Sequence, residues 1–172
     1  LLEYRGYDSS GLIVLTKDNT FSRARSVGKV KNLEDSIKRR KKKLIGNTGI
    51  AHTRWATHGE PTNHNAHPHI SKNSVSVVHN GIIENYIELK NEQLNEGYSF
   101  TSETDTEVVA HAINFAMQSC STLISAVQLA IKSLSGSYGL GVISSKYPDQ
   151  IIGARKGPPL IIGIGKNGNY LA

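Results

Sequence analysis

The order in which apolar patterns follow one another along the chain restricts the fold more than any other feature. Leu12-Ile13-Val14-Leu15, Val75 to Val78, Leu140 to Ile143 and Leu160 to Ile164 are short, β-branched and bounded by Gly, Pro, Asn or Ser, so they read as buried strands. Three stretches have helical spacing instead: Asn85 to Glu96; Thr104 to Gln118, with Val108, Ala112, Phe115 and Ala116 on one face; and Thr122 to Leu134, with Leu123, Val127, Ala130, Ile131 and Leu134. Thr104-Asp105-Thr106-Glu107 sets Thr and Glu at capping-box spacing, which predicts a helix start with Asp105 in its first turn. Strands come first, the longest helices cluster in the middle, and strands return to the end. A doubly wound parallel sheet alternates strand with helix, so this order predicts an α+β fold with mostly antiparallel sheet.

At 172 residues the chain can bury one proper core but not two, and a single domain spanning residues 1–172 is expected, with both ends abruptly cut. No apolar run approaches the roughly 20 residues that span a bilayer, and Leu1-Leu2-Glu3-Tyr4-Arg5-Gly6 is not a secretory leader. Cys120, alone, cannot form an internal disulfide. A cytoplasmic protein is expected. The net charge of +6 comes largely from Lys38-Arg39-Arg40-Lys41-Lys42-Lys43, which raises nucleic acid as a partner. That run follows Leu33, Glu34, Asp35 and Ile37 in a short helical pattern, without the interleaved aromatics that stack on bases. It reads as a solvated helix end whose cations complement the helix dipole.

Ala56 to Asn73 carries His, Asn, Pro and Gly without apolar periodicity, and loops of that length are usually functional. Five of the seven histidines fall between His52 and His69, and His67-Pro68-His69 has usable metal-ligand spacing. A hydrolytic metal centre also needs carboxylates, and Glu60 is the sole acid between His52 and His79. No metal is expected; His67 and His69 can instead bond the loop into shape. Arg54, Asn80-Gly81 and Asp105 each end or begin an element, where side chains project from a rigid frame into a cleft. An arginine fork binds a carboxylate and an aspartate binds an ammonium, a pair that selects a zwitterionic amino acid. Asn80 and the Gly81 N–H could form an oxyanion hole. Each also has a plain explanation: a surface ion pair, a hairpin turn, a helix cap.

Several long motifs occur in order. They are Tyr4-Arg5-Gly6-Tyr7-Asp8-Ser9-Ser10-Gly11, His52 to Pro61, Asn65 to His69, Val78 to Asn85 and Ser102 to Glu107, with Ala154 to Leu160 near the end. Together they resemble the N-terminal glutaminase, or class II glutamine amidotransferase, domain of the glucosamine-6-phosphate synthase family, over essentially the whole chain. The resemblance implies the four-layer αββα sandwich of N-terminal-nucleophile hydrolases. It also implies that Arg54 holds the glutamine α-carboxylate and Asp105 its α-ammonium. Trp55, Thr57 and His58 would belong to the loop that closes the pocket, Asn80 and Gly81 would stabilise the oxyanion, and Arg5, Gly6 and Tyr7 would lie beside the nucleophile. No cofactor and no metal are implied.

In that family the nucleophile is an N-terminal cysteine whose α-amine is the general base. The chain opens after that point, and Cys120, expected inside a helix without a basic neighbour, cannot replace it. This stretch alone is therefore expected not to hydrolyse glutamine. The intact protein is expected to be a homo-oligomer that transfers the amide nitrogen to fructose 6-phosphate through C-terminal sugar isomerase domains, absent here. The alternative is a class II relative that aminates phosphoribosyl pyrophosphate.

Overall fold

The structure, a computed structural model, describes residues 6–41 and 43–172. Three antiparallel strands form the first sheet: β1 (Ser9–Leu15), β2 (Phe21–Val27) and β3 (Thr48–Arg54), in the order β2-β1-β3. Helix α1 (Val30–Lys38) packs on β1 and β2 through the buried Leu33. The second sheet is also antiparallel and contains β4 (His69–Ser71), β5 (Val75–Ile83), β6 (Gly136–Ser144) and β7 (Tyr147–Lys156) in chain order. Over it lie α2 (Tyr86–Asn95), α3 (Glu107–Ala116) and α4 (Leu123–Ala130), which continues as a 3-10 turn over Ile131–Ser133.

Strand periodicity of two explains the layering. Val75 and Val77 of β5 and Leu140 and Val142 of β6 face the helices, where they meet Val108, Ile113, Leu123 and Val127. The intervening Val78 and Ile143 face the first sheet and pack against Ile13, Leu15 and Ile50. With the α1 contact through Leu33, these two cores separate four layers, helix, sheet, sheet, helix, and the α+β sandwich expected from the sequence is the observed architecture. Among the described residues no helix is long and apolar enough to cross a membrane.

Several local expectations need correction. Helix α3 starts at Glu107, not Thr104, and Asp105 sits in the turn before it. The capping box fails there because both its residues are engaged elsewhere. Thr104 Oγ1 pairs with Ser102 Oγ and His69 Nε2, while the Glu107 carboxylate accepts from the backbone N–H and hydroxyl of both Thr101 and Ser102. A reciprocal capping box forms instead at α4, between Thr122 and Ser125. Phe115, placed on the apolar face, is exposed, and Val109, Ala110 and Ile113 are buried. Cys120 lies in the turn after α3, where its N–H donates to Ala116 O, and not within a helix.

The expected buried strand over Leu160 to Ile164 is an exposed one. It forms β8 (Ile162–Gly165), which pairs only with β9 (Gly168–Leu171). Leu160 and Leu171 pack over Gly153 of β7, but Ile162 and Ile164 are 72% and 90% exposed because no further layer covers the hairpin among the described residues.

Candidate active site

The ends of β3 and β5 and the turn before α3 converge on a pocket of about 200 Å³, smaller than the roughly 300–1,000 Å³ typical of drug-sized sites. Arg54, the last residue of β3, lines it and is 4% exposed. Its guanidinium is held from several sides. Nη1 lies 3.8 Å from Asp8 Oδ1 and donates to Glu60 O at 3.4 Å, while Nη2 donates to Gly59 O at 3.0 Å and to His58 O. Burial pushes its pKa below the ordinary arginine value, opposed by Asp8 and then Asp105. A guanidinium stays charged even so. Asp8 also accepts the Ala56 N–H, so one carboxylate and one guanidinium fix both ends of the 56–60 turn. Asn65 closes the loop from outside, donating to Glu60 O and Glu103 Oε2 and accepting from the Glu103 N–H.

Asp105 is 4% exposed and lines the same pocket. One carboxylate oxygen, Oδ2, accepts the Ile83 N–H at 2.8 Å, which ties the α3 turn to β5, and among the described residues Oδ1 has only the Thr106 hydroxyl at 3.5 Å. His79 Nδ1 approaches to 3.9 Å but pairs with Thr106 Oγ1 at 3.0 Å. Burial lowers the pKa of His79, with Asp105 opposing, so at neutral pH this contact is not an ion pair.

Asn80 and Gly81 lie within β5, not in a hairpin turn, opposite Gly139 and Tyr138 of β6. Gly81 has φ +132°, and a Cβ there would stand 2.1 Å from Ser137 O. Only glycine fits, which leaves its backbone open towards the pocket. Asn80 Oδ1 is 2.7 Å from His52 Nε2.

Along the pocket three imidazoles lie in a row, and a fourth residue, His79, joins them through its backbone. His52 stacks on His67, with ring centroids 4.3 Å apart, and His67 meets His69 edge-on at 4.8 Å. The His79 N–H donates to His67 Nδ1, and His69 Nε2 pairs with Thr104. Desolvation lowers the pKa of all four, most strongly for His67 and His69, so the row is uncharged near neutrality. His67 and His69 thereby bond the loop to β5 and to the α3 turn. Among the described residues no group of three or more His, Cys, Asp or Glu side chains is placed to hold a metal.

Trp55, Thr57 and His58 line the pocket, and Trp55 is 61% exposed at its rim, edge-on to Tyr7. Gly6 packs against the Arg54 main chain, where a Cβ would come within 2.7 Å. Arg5 falls outside the described residues. Sequence reasoning missed Asp8 and His52. His52 was within reach: it precedes Arg54 by two on a strand, so both project from one face.

A family model for the glutamine amidotransferase domain matches residues 52–169. The chain is 54% identical over 99% of its length to the glutamine--fructose-6-phosphate aminotransferase (isomerizing) of Pseudomonas putida, and 52% identical to that of Haemophilus influenzae over the same share. It spans 28% of the length of each. Among solved structures, the glutamine phosphoribosylpyrophosphate amidotransferase of B. subtilis, complexed with ADP and GMP, superposes with TM-score 0.79 at 25% identity. A structure described as the allosteric regulatory enzyme of purine biosynthesis gives 0.80 at 27%. Each match covers 99% of this chain and 36% of the neighbour.

Proposed function

Because the chain belongs to the family of glutamine amidotransferase domains, we propose that its pocket takes glutamine, with Arg54 facing the α-carboxylate and Asp105 the α-ammonium. The observation that supports this reading is a buried cation and a buried carboxylate bordering one small pocket. An amino acid zwitterion compensates both charges at once. Asn80 and Gly81 then lie along the same wall for the side-chain amide. Attack on the amide carbon moves its π electrons onto oxygen, and N–H groups from Asn80 Nδ2 and Gly81 stabilise that oxyanion as it forms. Collapse breaks the C–N bond and releases ammonia once the nitrogen is protonated. The nucleophile in this reading is the N-terminal cysteine used by such domains, since Cys120 packs against the helix–sheet core and does not line the pocket. The resulting thioester is hydrolysed to glutamate.

In the intact protein the ammonia passes to fructose 6-phosphate. The 52–54% identity to aminotransferases named for that sugar favours it over phosphoribosyl pyrophosphate, whose amidotransferase is 25% identical.

Two variants of the intact protein test the substrate assignment by calorimetric titration. Arg54→Ala should weaken glutamine binding by about 2–5 kcal/mol, as when one partner of a desolvated charge pair is lost. Arg54 also holds the 58–60 turn, so Asp105→Asn provides the sharper test: its side-chain oxygen can still accept the Ile83 N–H. Glutamine should bind more weakly to it, while glutaramic acid, the analogue without the α-amine, should bind unchanged. Equal losses for the two ligands would refute the ammonium role of Asp105.

A further inference from the structure

His52 plays no part in the reaction outlined above, yet it touches the amide on which that reaction depends. A carboxamide has a donor end and an acceptor end, and only the donor end helps an oxyanion. Two arrangements satisfy the 2.7 Å contact between His52 Nε2 and Asn80. In the first, His52 is protonated on Nε2 and donates to Asn80 Oδ1, the Asn80 NH₂ faces the pocket, and His52 Nδ1 is a bare lone pair. In the second, the Asn80 NH₂ donates to Nε2, the amide oxygen faces the pocket and repels negative charge, and Nδ1 carries the proton. His52 Nδ1 is sealed from solvent and, among the described residues, has no partner. An orphaned buried N–H is rarer in folded proteins than an unpaired acceptor, so the first arrangement is the one the surroundings allow.

The ring itself cannot easily turn. His67 stacks on it with an interplanar angle of 18°, and His67 is fixed in turn by the His79 N–H, 3.3 Å from its Nδ1. Burial lowers the pKa of His52, so the choice at neutral pH is between two neutral tautomers.

We propose that His52 is a positioning residue that holds the Asn80 carboxamide with its NH₂ towards the pocket, aiming the oxyanion donor before substrate arrives. This rests on Asn80 being that donor, as read above. It assigns the start of the histidine row a part in the rate and not in substrate affinity.

The test is glutamine hydrolysis by the intact protein, with kcat and KM measured separately for four variants. Asn80→Ala should lower kcat about a hundredfold or more. His52→Phe keeps the ring shape but removes the donor, and should lower kcat about tenfold, the factor set by one net hydrogen bond, with KM unchanged. His52→Gln, whose amide N–H can replace Nε2–H, should restore most of that loss. The double variant His52→Phe with Asn80→Ala should be no slower than Asn80→Ala alone, since one residue acts through the other. Multiplying losses, a rise in KM alone, or full activity in His52→Phe would overturn the positioning role while leaving Asn80 as donor. Unimpaired turnover in Asn80→Ala would overturn both. Histidine ¹⁵N shifts at neutral pH supply a check that needs no substitution: a His52 protonated on Nε2 is expected, and one protonated on Nδ1 overturns the proposal.

Discussion

Acid should destabilise this chain through its buried histidines as soon as pH falls below the ordinary imidazole value. His67 and His69 are 5% and 1% exposed, and desolvation holds both well below the ordinary imidazole value of 6.5. Their neighbours add to this: each faces the other and His52, and His69 also faces Arg23 and Arg25. In the unfolded chain both rings take up a proton as pH falls through about 6.5. In the fold they resist it, so the unfolded state binds more protons and stability rises with pH in this window. Their full contribution is present above 6.5 and is lost as pH falls towards the depressed folded values. Each ring then contributes a slope of up to about 1.4 kcal/mol per pH unit, and the pair up to about 2.7. The interval from about pH 6.5 to 5.0 covers the protonation of ordinary imidazoles in the unfolded chain. Urea denaturation at 25 °C in half-unit steps over that interval measures the slope directly. His69→Gln keeps a donor for Thr104 and should lower the slope by up to about 1.4 kcal/mol per pH unit, the share of one ring; His52, His67, His79 and His111, whose pKa values burial also lowers, carry the rest. A stability independent of pH over the interval, or an unchanged slope in His69→Gln, would refute the reasoning.

Gly81→Ala should destabilise the fold by about 2–5 kcal/mol, since it combines an unfavourable φ with a Cβ driven into Ser137 O on the neighbouring strand; less than 1 kcal/mol by urea denaturation would show that β6 yields freely. Glu107→Gln should cost about 3 kcal/mol or more, because a fully buried carboxylate with four donors from Thr101 and Ser102 would present an NH₂ to at least one of them. Its glutamine affinity, measured alongside in the intact protein, should fall as well if the 101–106 turn is what aims Asp105.

What could be read from the sequence divides along physical lines. Strands β1, β5 and β6 are legible because both their faces are apolar and buried. The first sheet's edge, β2, has the sequence Phe-Ser-Arg-Ala-Arg-Ser-Val, and its arginines reach across to the carbonyls of the loop at Pro68, His64 and Ala66. Nothing in its pattern announces a strand. Arg54 and Asp105 were legible as charged residues at the edges of elements; Asn80 and Gly81, read the same way, stand inside β5, and the structure brings all four to one pocket. The neighbours that hold them were harder to see. Asp8 meets Arg54 only because Ser9 pairs with Arg54 across the first sheet, a register that no local pattern encodes. Glu107 was misread as a helix cap because its true partners, Thr101 and Ser102, precede the helix by several residues.

The hairpin of β8 and β9 bears on how the chain behaves in a test tube. Ile161, Ile162, Ile164 and Tyr170 are each at least 66% exposed, clustered on a two-stranded ribbon whose outer edges pair with no other strand among the described residues. Such an edge is a template for a neighbouring molecule's strand, and an apolar one adds a hydrophobic driving force. A net charge of +6 opposes that contact at low ionic strength. Salt screens the repulsion and leaves the apolar edge unaffected, so for this sequence handled alone, raising salt works against colloidal solubility.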